Sequence, residues 1–303
     1  MKLKPLVSIA ICTFNRADYL RDTLNDLALQ TEDPRRFEIL VINNNSTDST
    51  ESVCSAFANK RDHLQFKMVT EEKQGLSHAR NRAFREAESS IILYIDDDVH
   101  LKPDFVEQAL HSIHEMPQLK CGGGRIYVSF DDTDPDWIPS ELMPMFGLHD
   151  LGDSKKAYPG NNFPRGGNMI IHKELFEKAG LFDPDLGRTG ARMMGSEEKA
   201  FFDRSRKTGY TPWYLPNITL WHRIGKNRLQ IDYLKEQSVG IGRSEYLRLK
   251  SSKLKLTGKL FSEFVKLSGS IFLAAGYFLK GKTKASRFIL IFRLWVLKGF
   301  LSR

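Results

Sequence analysis

The sequence predicts an α/β fold in which a mainly parallel sheet carries helices on both faces and is followed by a basic helical extension. Short apolar runs alternate with helix-like stretches through the first hundred residues, as in successive βαβ units. Polar residues directly follow several of these runs, at the strand ends where such sheets bind ligands. From about residue 229 the pattern becomes helical and rich in Lys and Arg.

The strands and helices of the first hundred residues can be assigned from length and periodicity. The apolar runs have the length of buried strands, at residues 6–12, 37–42, 64–69 and 91–95. Amphipathic stretches between them predict helices at residues 17–29, 49–59 and 76–87. In the first of these, Leu20, Leu24 and Leu27 fall on one face.

The middle of the chain continues the pattern less regularly. We predict helices at residues 103–115, 174–179 and 197–208, and strands at residues 121–130, 167–172 and 214–222. Residues 131–165 are rich in Pro, Asp and Gly without a clear period, which is typical of a functional or mobile loop. The expected organisation is a catalytic domain over residues 1–228 and a basic, amphipathic helical tail over residues 229–303.

The composition excludes a disordered chain and a multi-span membrane protein, because 41% of the residues are hydrophobic and 27% are charged. The three cysteines, Cys12, Cys54 and Cys121, are too far apart and too few for a disulfide framework or a zinc pattern. They fit a reducing compartment.

The tail differs from the body in charge. Residues 243–303 carry 14 Lys and Arg against two acids, whereas residues 1–242 carry 31 bases and 35 acids. Two apolar stretches, at residues 267–279 and 288–301, are shorter than the ~20 residues that span a bilayer. This pattern favours helices that lie on an anionic membrane surface. A buried core helix or a contact between subunits of a homo-oligomer remains an alternative.

Three consecutive aspartates, Asp96, Asp97 and Asp98, follow the predicted strand at residues 91–95. Clustered carboxylates repel one another unless a cation lies among them. Mg²⁺ and Mn²⁺ prefer such oxygen ligands and commonly bridge carboxylates to phosphates. The pattern therefore favours a divalent metal site over a solvated acidic turn.

Other polar clusters have both a structural and a functional interpretation. Residues 43–48 and 75–81 could cap helices, or could bind a base, a ribose or a diphosphate. Glu197 and Glu198 are ordinary for a first helical turn but could also supply a general base. His222 could ligate metal or could be structural. On the residues alone these alternatives stay open.

Six motifs in order resemble the family 2 glycosyltransferases of the type that builds bacterial cell-surface polysaccharides. Their fold, GT-A, is Rossmann-like with a mainly parallel sheet. The similarity covers about residues 5–228 and does not extend to the tail. The motifs are VSIAICTFNRADYLRDTLNDL, VINNNSTDST, GLSHARNRAFREA, IILYIDDDVHLKPDFVE, RGGNMIIHKELFEKAGLFDPDLGRTG and GSEEKAFFDRSRKTGY.

The resemblance implies a nucleotide-diphosphate sugar donor and a bound Mn²⁺ or Mg²⁺. It assigns the metal to Asp98 and Asp96, and His222 is added as a metal ligand from the residues themselves. Gly166 would line the sugar and acceptor side together with two of the donor residues, Gly167 and Asn168. The donor would contact Thr13, Phe14, Asn15, Arg16, Asn43, Arg80, Asp96, Asp97, Gly167 and Asn168. Many members have Asp where this chain has Asn43, so the base, expected to be uracil, is less firmly implied.

The resemblance also implies the catalytic base. The family's Glu-Asp pair falls on Glu197 and Glu198, so Glu198 is the expected base, with a Glu where Asp is usual. This departure lengthens the side chain by one methylene and leaves Glu197 and Asp183 as lesser candidates.

The expected reaction is inverting, metal-dependent and non-processive transfer of a hexosyl group, since the chain lacks the Gln-x-x-Arg-Trp segment of processive synthases. The acceptor would be a hydroxyl of a glycan or a lipid-linked molecule at the cytoplasmic face of the inner membrane. The alternative is a non-catalytic protein of the same fold that binds a nucleotide sugar or a membrane surface. Nucleic acid is not an expected partner, because no recognised binding module accompanies the basic tail.

Overall fold

The computed structural model describes residues 4–132, 134–190 and 193–302. Both predicted domains therefore contain a few residues that lie outside the description. The chain divides into two compact units. Unit 1 comprises Met1–Val128, Gly147–Pro184 and Glu197–Arg223, and unit 2 comprises Ser129–Phe146, Asp185–Ser196 and Ile224–Arg303. The predicted domain boundary at residue 228 stays a prediction.

The central sheet has nine strands within the described residues. In chain order they are β1 (Val7–Thr13), β2 (Phe37–Asn43), β3 (Gln65–Thr70), β4 (Ile91–Ile95), β5 (Val99–Leu101), β6 (Cys121–Phe130), β7 (Lys156–Ala157), β8 (Asn168–His172) and β9 (Trp213–Ile224). Their order is β3-β2-β1-β4-β8-β6-β9-β5, and β7 pairs with β9. The pairs among β1 to β4 are parallel, whereas β8 pairs antiparallel with β4 and with β6.

Six helices cover the two faces of this sheet. They are α1 (Ala17–Ala28), α2 (Thr50–Lys60), α3 (Leu76–Glu86), α4 (Phe105–Glu115), α5 (Lys173–Ala179) and α6 (Glu197–Lys207). Alternate residues of β1 face opposite cores, as a period of two requires. Ile9 packs with apolar residues of α1, α2 and α4, while Ala10 packs with those of α3, α5 and α6.

The predicted fold class is confirmed, and each strand and helix predicted before residue 229 is present with ends shifted by no more than two residues. The sequence did not indicate β5, whose three residues are too few to show a period. The loop at residues 131–165 contains a 3₁₀ helix at Ser140–Phe146 and the two residues of β7.

Unit 2 contains three longer helices: α7 (Ile231–Leu249), α8 (Lys253–Leu279) and α9 (Thr283–Leu301). Helix α9 is held closely against α7 because glycines remove side chains at the crossing. A Cβ at Gly242 would lie 2.0 Å from the carbonyl oxygen of Val296, and a Cβ at Gly299 would lie 2.0 Å from that of Val239. The buried side chains of α9 are Ala285, Phe288, Ile289, Phe292, Val296 and Phe300.

None of the helices formed by the described residues combines the length and the apolar character that crossing a membrane requires.

An ion-pair cluster joins α7 to α8. Glu245 contacts Arg248 Nε at 2.9 Å and Lys259 Nζ at 3.1 Å, and Lys259 also contacts Glu263 at 3.1 Å. Burial opposes the charge on Glu245, but its hydrogen bond to Arg248 and the charge of Lys259 prevail and lower its pKa to about 2. The two acids of residues 243–303 are therefore both paired with cations inside unit 2.

This cluster predicts a pH-dependent stability. The folded pKa of Glu245 is lowered from 4.5 to about 2, so its contribution is complete above pH 4.5 and is lost as the pH falls toward 2. Glu245→Gln should lower the free energy of unfolding by up to about 3 kcal/mol at pH 7 and by clearly less at pH 3. Urea unfolding of both proteins at the two pH values measures this. An equal loss at pH 7 and pH 3 would contradict it.

Candidate active site

The candidate site lies at the carboxyl ends of three parallel strands. Thr13 ends β1, Asn43 ends β2 beside it in register, and Asp96 follows directly after β4. Because β1 lies between β2 and β4 in the sheet, the carboxyl ends of these three strands lie side by side at one edge. This is the edge where open α/β sheets bind their ligands.

An acidic cluster forms where the chain leaves β4. Ligand atoms of Asp96, Asp98 and His222 all lie within 4.8 Å of one another. Antiparallel pairing of β5 with β9 places Val99 opposite His222, and the Arg223 amide donates to the carbonyl oxygen of Asp98 at 2.8 Å. His222 thus arrives from a segment more than 120 residues later in the chain. The three residues named as metal ligands from the sequence are therefore neighbours.

The donor set of this cluster fits a divalent cation. Two carboxylates and one imidazole surround a common point, and Asp98 and His222 are buried while Asp96 is half-buried. Carboxylates suit Mg²⁺ and Mn²⁺ alike, whereas an imidazole is a more usual ligand for transition metals. The residues present would hold a divalent cation with both ligand types.

A guanidinium group lies on the same acids. Arg16 Nη2 is 2.5 Å from Asp98 Oδ2, and Arg16 Nη1 is 3.0 Å from Asp97 Oδ1. Burial opposes the charge of Arg16, but the nearby aspartates outweigh it and raise the Arg16 pKa. Thr13 Oγ1 donates to Asp97 Oδ2 at 2.6 Å. Burial raises the pKa of Asp97 to about 6, against the opposing charge of Arg16. Asp97 is thereby fixed by protein groups on both carboxylate oxygens.

A second group of charges lies across two consecutive glycines. A Cβ at Gly167 would lie 2.6 Å from Asp96 Oδ2, and a Cβ at Gly166 would lie 1.9 Å from Glu198 Oε1 and 2.0 Å from Arg80 Nη2. A side chain at either position would displace one of these charged groups. The glycine pair therefore brings the metal-side acid and the first turn of α6 close to the same piece of backbone.

Arg80 forms ion pairs with two of the three predicted base candidates. Its Nη1 is 2.9 Å from Glu197 Oε1 and its Nη2 is 3.0 Å from Glu198 Oε1. The side chain of Glu197 is 2% exposed, whereas that of Glu198 is 19% exposed. Burial opposes the charge on Arg80, but Glu198 and Glu197 outweigh it and raise the Arg80 pKa. The central carbon of the Arg80 guanidinium, Cζ, lies 5.6 Å from the centre of the Phe182 ring.

The loops after β1 and β2 are fastened to each other. Asn15 Oδ1 accepts from the Thr47 amide at 2.7 Å, and the Asn15 amide donates to Ser46 Oγ at 3.0 Å. Asn43 Oδ1 accepts from the Ser46 amide at 2.9 Å. Asn15 has φ of 52°, a conformation that Asn tolerates better than most residues. Phe14 stays exposed beside this loop.

Asn168 contributes to the site through the sheet. Its Nδ2 donates to the carbonyl oxygens of Ile218 at 2.8 Å and Arg125 at 3.0 Å. Its Oδ1 is buried and accepts no hydrogen bond from any residue that the structure describes. Asn168 pairs in register with Ile95, the residue before Asp96. Asp183, the lesser base candidate, is half-buried, and its carbonyl oxygen accepts from Ser77 Oγ at 2.9 Å.

Thr23 was missed by the sequence reasoning. Its hydroxyl donates to the carbonyl oxygens of Asp97 at 3.0 Å and Val99 at 2.9 Å, which fixes the backbone of the aspartate turn. A signal was present, because Thr23 falls on the same face of α1 as Leu20 and Leu27. A buried hydroxyl needs a hydrogen-bond partner.

The comparisons with known proteins agree with this geometry. The model of Glycosyl transferase family 2 matches residues 8–180. The glucosyl-dolichyl phosphate glucuronosyltransferase of Haloferax volcanii is 22% identical over 242 residues, covering 79% of this chain and 76% of that protein.

Solved structures share the fold. The mannosyltransferase PcManGT from Pyrobaculum calidifontis, in complex with GDP-Man and Mn²⁺, matches with a TM-score of 0.67 at 17% identity. The match covers 98% of this chain and 86% of the PcManGT chain. GalNAc-T7 with UDP, GalNAc and Mn²⁺ has a TM-score of 0.56 at 17% identity, covering 79% and 48%.

The sheet, its acidic strand-end cluster and these structural neighbours define a glycosyltransferase of the GT-A fold. The chain belongs to Glycosyl transferase family 2, whose model matches more than half of its residues. The predicted class, family and fold are confirmed. The roles of individual site residues stay predictions.

The contact between Arg16 and the acidic cluster predicts competition with a metal ion. Arg16→Gln should tighten Mn²⁺ binding about tenfold or more, because two cations a few ångströms apart repel by roughly 1–4 kcal/mol. Free Mn²⁺ can be followed by its electron paramagnetic resonance signal in the absence of nucleotide. Arg21→Gln is the matched control, since Arg21 lies on α1 and pairs with Asp18 on the exposed surface. Unchanged or weaker binding by Arg16→Gln would refute the competition.

Proposed function

We propose that this glycosyltransferase moves one hexosyl group from a UDP-sugar to a hydroxyl of a glycan or lipid-linked acceptor, with inversion and with Mn²⁺. The observation that carries the proposal is the Gly166-Gly167 backbone, which approaches both Asp96 and Glu198. A donor sugar beside this backbone would have the acidic cluster on its diphosphate side and a carboxylate on its acceptor side.

The donor half of the site is supported by its charges and loops. Asp96, Asp98 and His222 would hold the ion, and Arg16 and Asp97 lie directly beside them. A bound divalent ion would offset the negative charge that develops on the leaving diphosphate. Thr13, Phe14, Asn15 and Asn43 line the neighbouring strand ends, where a nucleoside could lie.

The choice of Mn²⁺ over Mg²⁺ follows from the ligand types. An imidazole stands with two carboxylates in the cluster, and Mg²⁺ favours sites made of oxygen ligands alone. The two structural neighbours described above are complexes with Mn²⁺, one with GDP-Man and one with UDP. A UDP-sugar is the donor we infer from the family motifs, and the GDP-Man complex makes a guanine nucleotide the comparison to test.

Glu198 is the base we propose. Its carboxylate is more exposed than that of Glu197 and is therefore the one that an acceptor could reach. In the transfer step the acceptor oxygen bonds to the anomeric carbon while the bond from that carbon to the diphosphate oxygen breaks. The acceptor proton passes to Glu198, and the diphosphate leaves with the electron pair. A single displacement of this kind inverts the anomeric centre.

Arg80 has a positioning role in this proposal, beside its predicted contact with the donor. It binds Glu197 and Glu198 at once and is 3% exposed, so its guanidinium has little freedom to turn elsewhere. Its backbone carbonyl accepts from the Tyr94 hydroxyl at 3.0 Å. A carboxylate held in one orientation loses less entropy when it meets the acceptor hydroxyl.

The acceptor and the location are inferred from the tail. Its excess of Lys and Arg suits an anionic membrane surface, and a lipid-linked acceptor in cell-surface polysaccharide assembly would be encountered there. We place the enzyme in the cytoplasm, peripheral to the inner membrane. Pairing of tail helices between subunits is the alternative use of the same segment.

A donor screen tests the reaction class first. With Mn²⁺ and a lipid-linked or glycan acceptor mixture, we expect release of nucleoside diphosphate from one UDP-sugar, and none when a chelator is present. A matched panel of GDP-sugars decides the base. Metal-dependent release from a GDP-sugar alone would correct the nucleotide. Tight nucleotide binding without turnover of any donor or acceptor would favour the non-catalytic alternative.

Replacement of the proposed base gives a sharper test. Glu198→Gln should lower kcat about 10²–10⁴-fold, as expected when a general base is removed, while the dissociation constant for the free nucleotide stays within about twofold. Glu177→Gln is the control, because Glu177 is an exposed glutamate of α5 outside the site. Undiminished turnover by Glu198→Gln, with normal nucleotide binding, would remove Glu198 from the role of base.

A further inference from the structure

Helix α8 carries an exposed apolar surface, which we call the outer face of α8. It consists of Leu254, Phe261, Phe264, Val265, Ile271, Phe272, Phe278 and Leu279, whose exposed fractions run from 50% to 84%. Leu273, 42% exposed, lies outside this face, on the side of Lys266 and Lys280. Many of these positions are seven residues apart, as in the series 264, 271 and 278, and seven residues are close to two helical turns. They therefore lie on one side of the helix, over an arc of about 140°.

The opposite side of α8 is used for packing within unit 2. Its buried residues are Glu263, Ser270 and Ala274, which are also spaced by seven and four. Glu263 pairs with Lys259 and Lys266, and Ser270 Oγ accepts from Arg293 Nε at 3.3 Å. The outer face is thus the side of α8 opposite the residues that contact α7 and α9.

The two apolar stretches predicted in the tail have different fates. The stretch at residues 288–301 forms most of α9 and buries Phe288, Ile289, Phe292, Val296 and Phe300, whereas Leu294 and Leu301 stay exposed. The stretch at residues 267–279 lies in α8 and contributes half of the outer face. Only α8 therefore keeps an apolar surface of this extent among the described tail helices.

The charges around the outer face are positive. Lys255, Lys266 and Lys280 follow one flank of α8, and Lys282, Lys284 and Arg287 begin α9. The two acids of residues 243–302, Glu245 and Glu263, are buried or nearly so and are paired with cations of unit 2. Among the described residues after 242, the exposed charge beside the outer face is thus cationic, while the exposed Glu141 of the 3₁₀ helix accepts from the Tyr277 hydroxyl of α8 at 2.8 Å.

We propose that α8 lies flat in the interface of an anionic lipid membrane, with the outer face in the acyl region and the lysine flank at the headgroups. The helix of 27 residues is about 40 Å long, which gives a long contact without crossing the bilayer. This proposal deepens the membrane part of the function proposed above by assigning one helix face to it.

Charge decides between lipid and a second copy of the chain. Two outer faces packed together would bring two lysine flanks of the same sign side by side, and like charges at such contacts are unfavourable. Anionic headgroups supply the opposite charge along the whole flank. Protruding Phe side chains beside lysines are also the usual composition of helices that lie in a membrane interface.

Vesicle binding tests the proposal with the full chain. We expect the protein to sediment with vesicles of phosphatidylcholine and phosphatidylglycerol, but not with phosphatidylcholine alone. The variant Phe261→Ser/Phe272→Ser should lose at least about tenfold in partitioning, since two large apolar groups no longer leave water. These side chains are 72% and 79% exposed, so the fold should tolerate the change, which circular dichroism can verify.

The control is Leu29→Ser/Leu181→Ser, which removes exposed apolar side chains of unit 1 that are 63% and 41% exposed. It should bind anionic vesicles as the unchanged protein does. Equal binding by the Phe261→Ser/Phe272→Ser variant, or no binding of the unchanged protein to anionic vesicles, overturns the proposal. A dimer in sedimentation velocity that this variant abolishes would instead assign the outer face to a second copy.

The outcome is independent of the transfer reaction, because vesicle binding is measured without donor. The variant should retain metal-dependent donor turnover with a water-soluble acceptor. If the variant loses vesicle binding and keeps full turnover, the outer face is assigned to the membrane contact. If neither the variant nor the unchanged protein turns over a donor, the result counts against the proposed reaction and not against the membrane contact.

Discussion

The site depends on two buried or half-buried arginines that balance a concentration of carboxylates at one edge of the sheet. Arg16 lies between Asp97 and Asp98, and Arg80 lies between Glu197 and Glu198. Without them the acids would meet in a poorly solvated pocket and repel one another. Each arginine also fixes the orientation of its acids, so charge balance and geometry have the same source.

The two arginines reach their partners because parallel strands end together. Arg16 lies between β1 and α1, directly before the helix, while Arg80 belongs to α3 on the other face of the sheet. Chain segments far apart in sequence then complete the arrangement: α6 supplies the glutamates and β9 supplies His222. The glycines at residues 166 and 167 let the backbone pass between the two charge groups. Adjacent residues of one backbone segment thus approach the acid of the cluster, Asp96, and the acid of α6, Glu198.

The sequence was sufficient for the elements and for the acidic cluster, because these have local signals. Strand periodicity and the run of three aspartates are visible in a few residues each. The pairing of Arg80 with the glutamates was not visible, since it joins positions 117 and 118 residues apart. The sequence also did not indicate which of the two tail stretches would be buried. The stretches at residues 267–279 and 288–301 are similarly apolar, but the first is largely exposed in α8 and the second is largely packed in α9. The 3₁₀ helix in the long loop left no periodic signal either.

The contact between Arg80 and Glu198 depends on the length of the acidic side chain at position 198. The resemblance leads one to expect aspartate at position 198, and the Glu198 carboxylate, which is one methylene farther from the backbone, meets the guanidinium at 3.0 Å. Arg80 is enclosed on all sides and has little room to follow a shorter acid. The length of the Glu198 side chain is therefore part of its contact with Arg80.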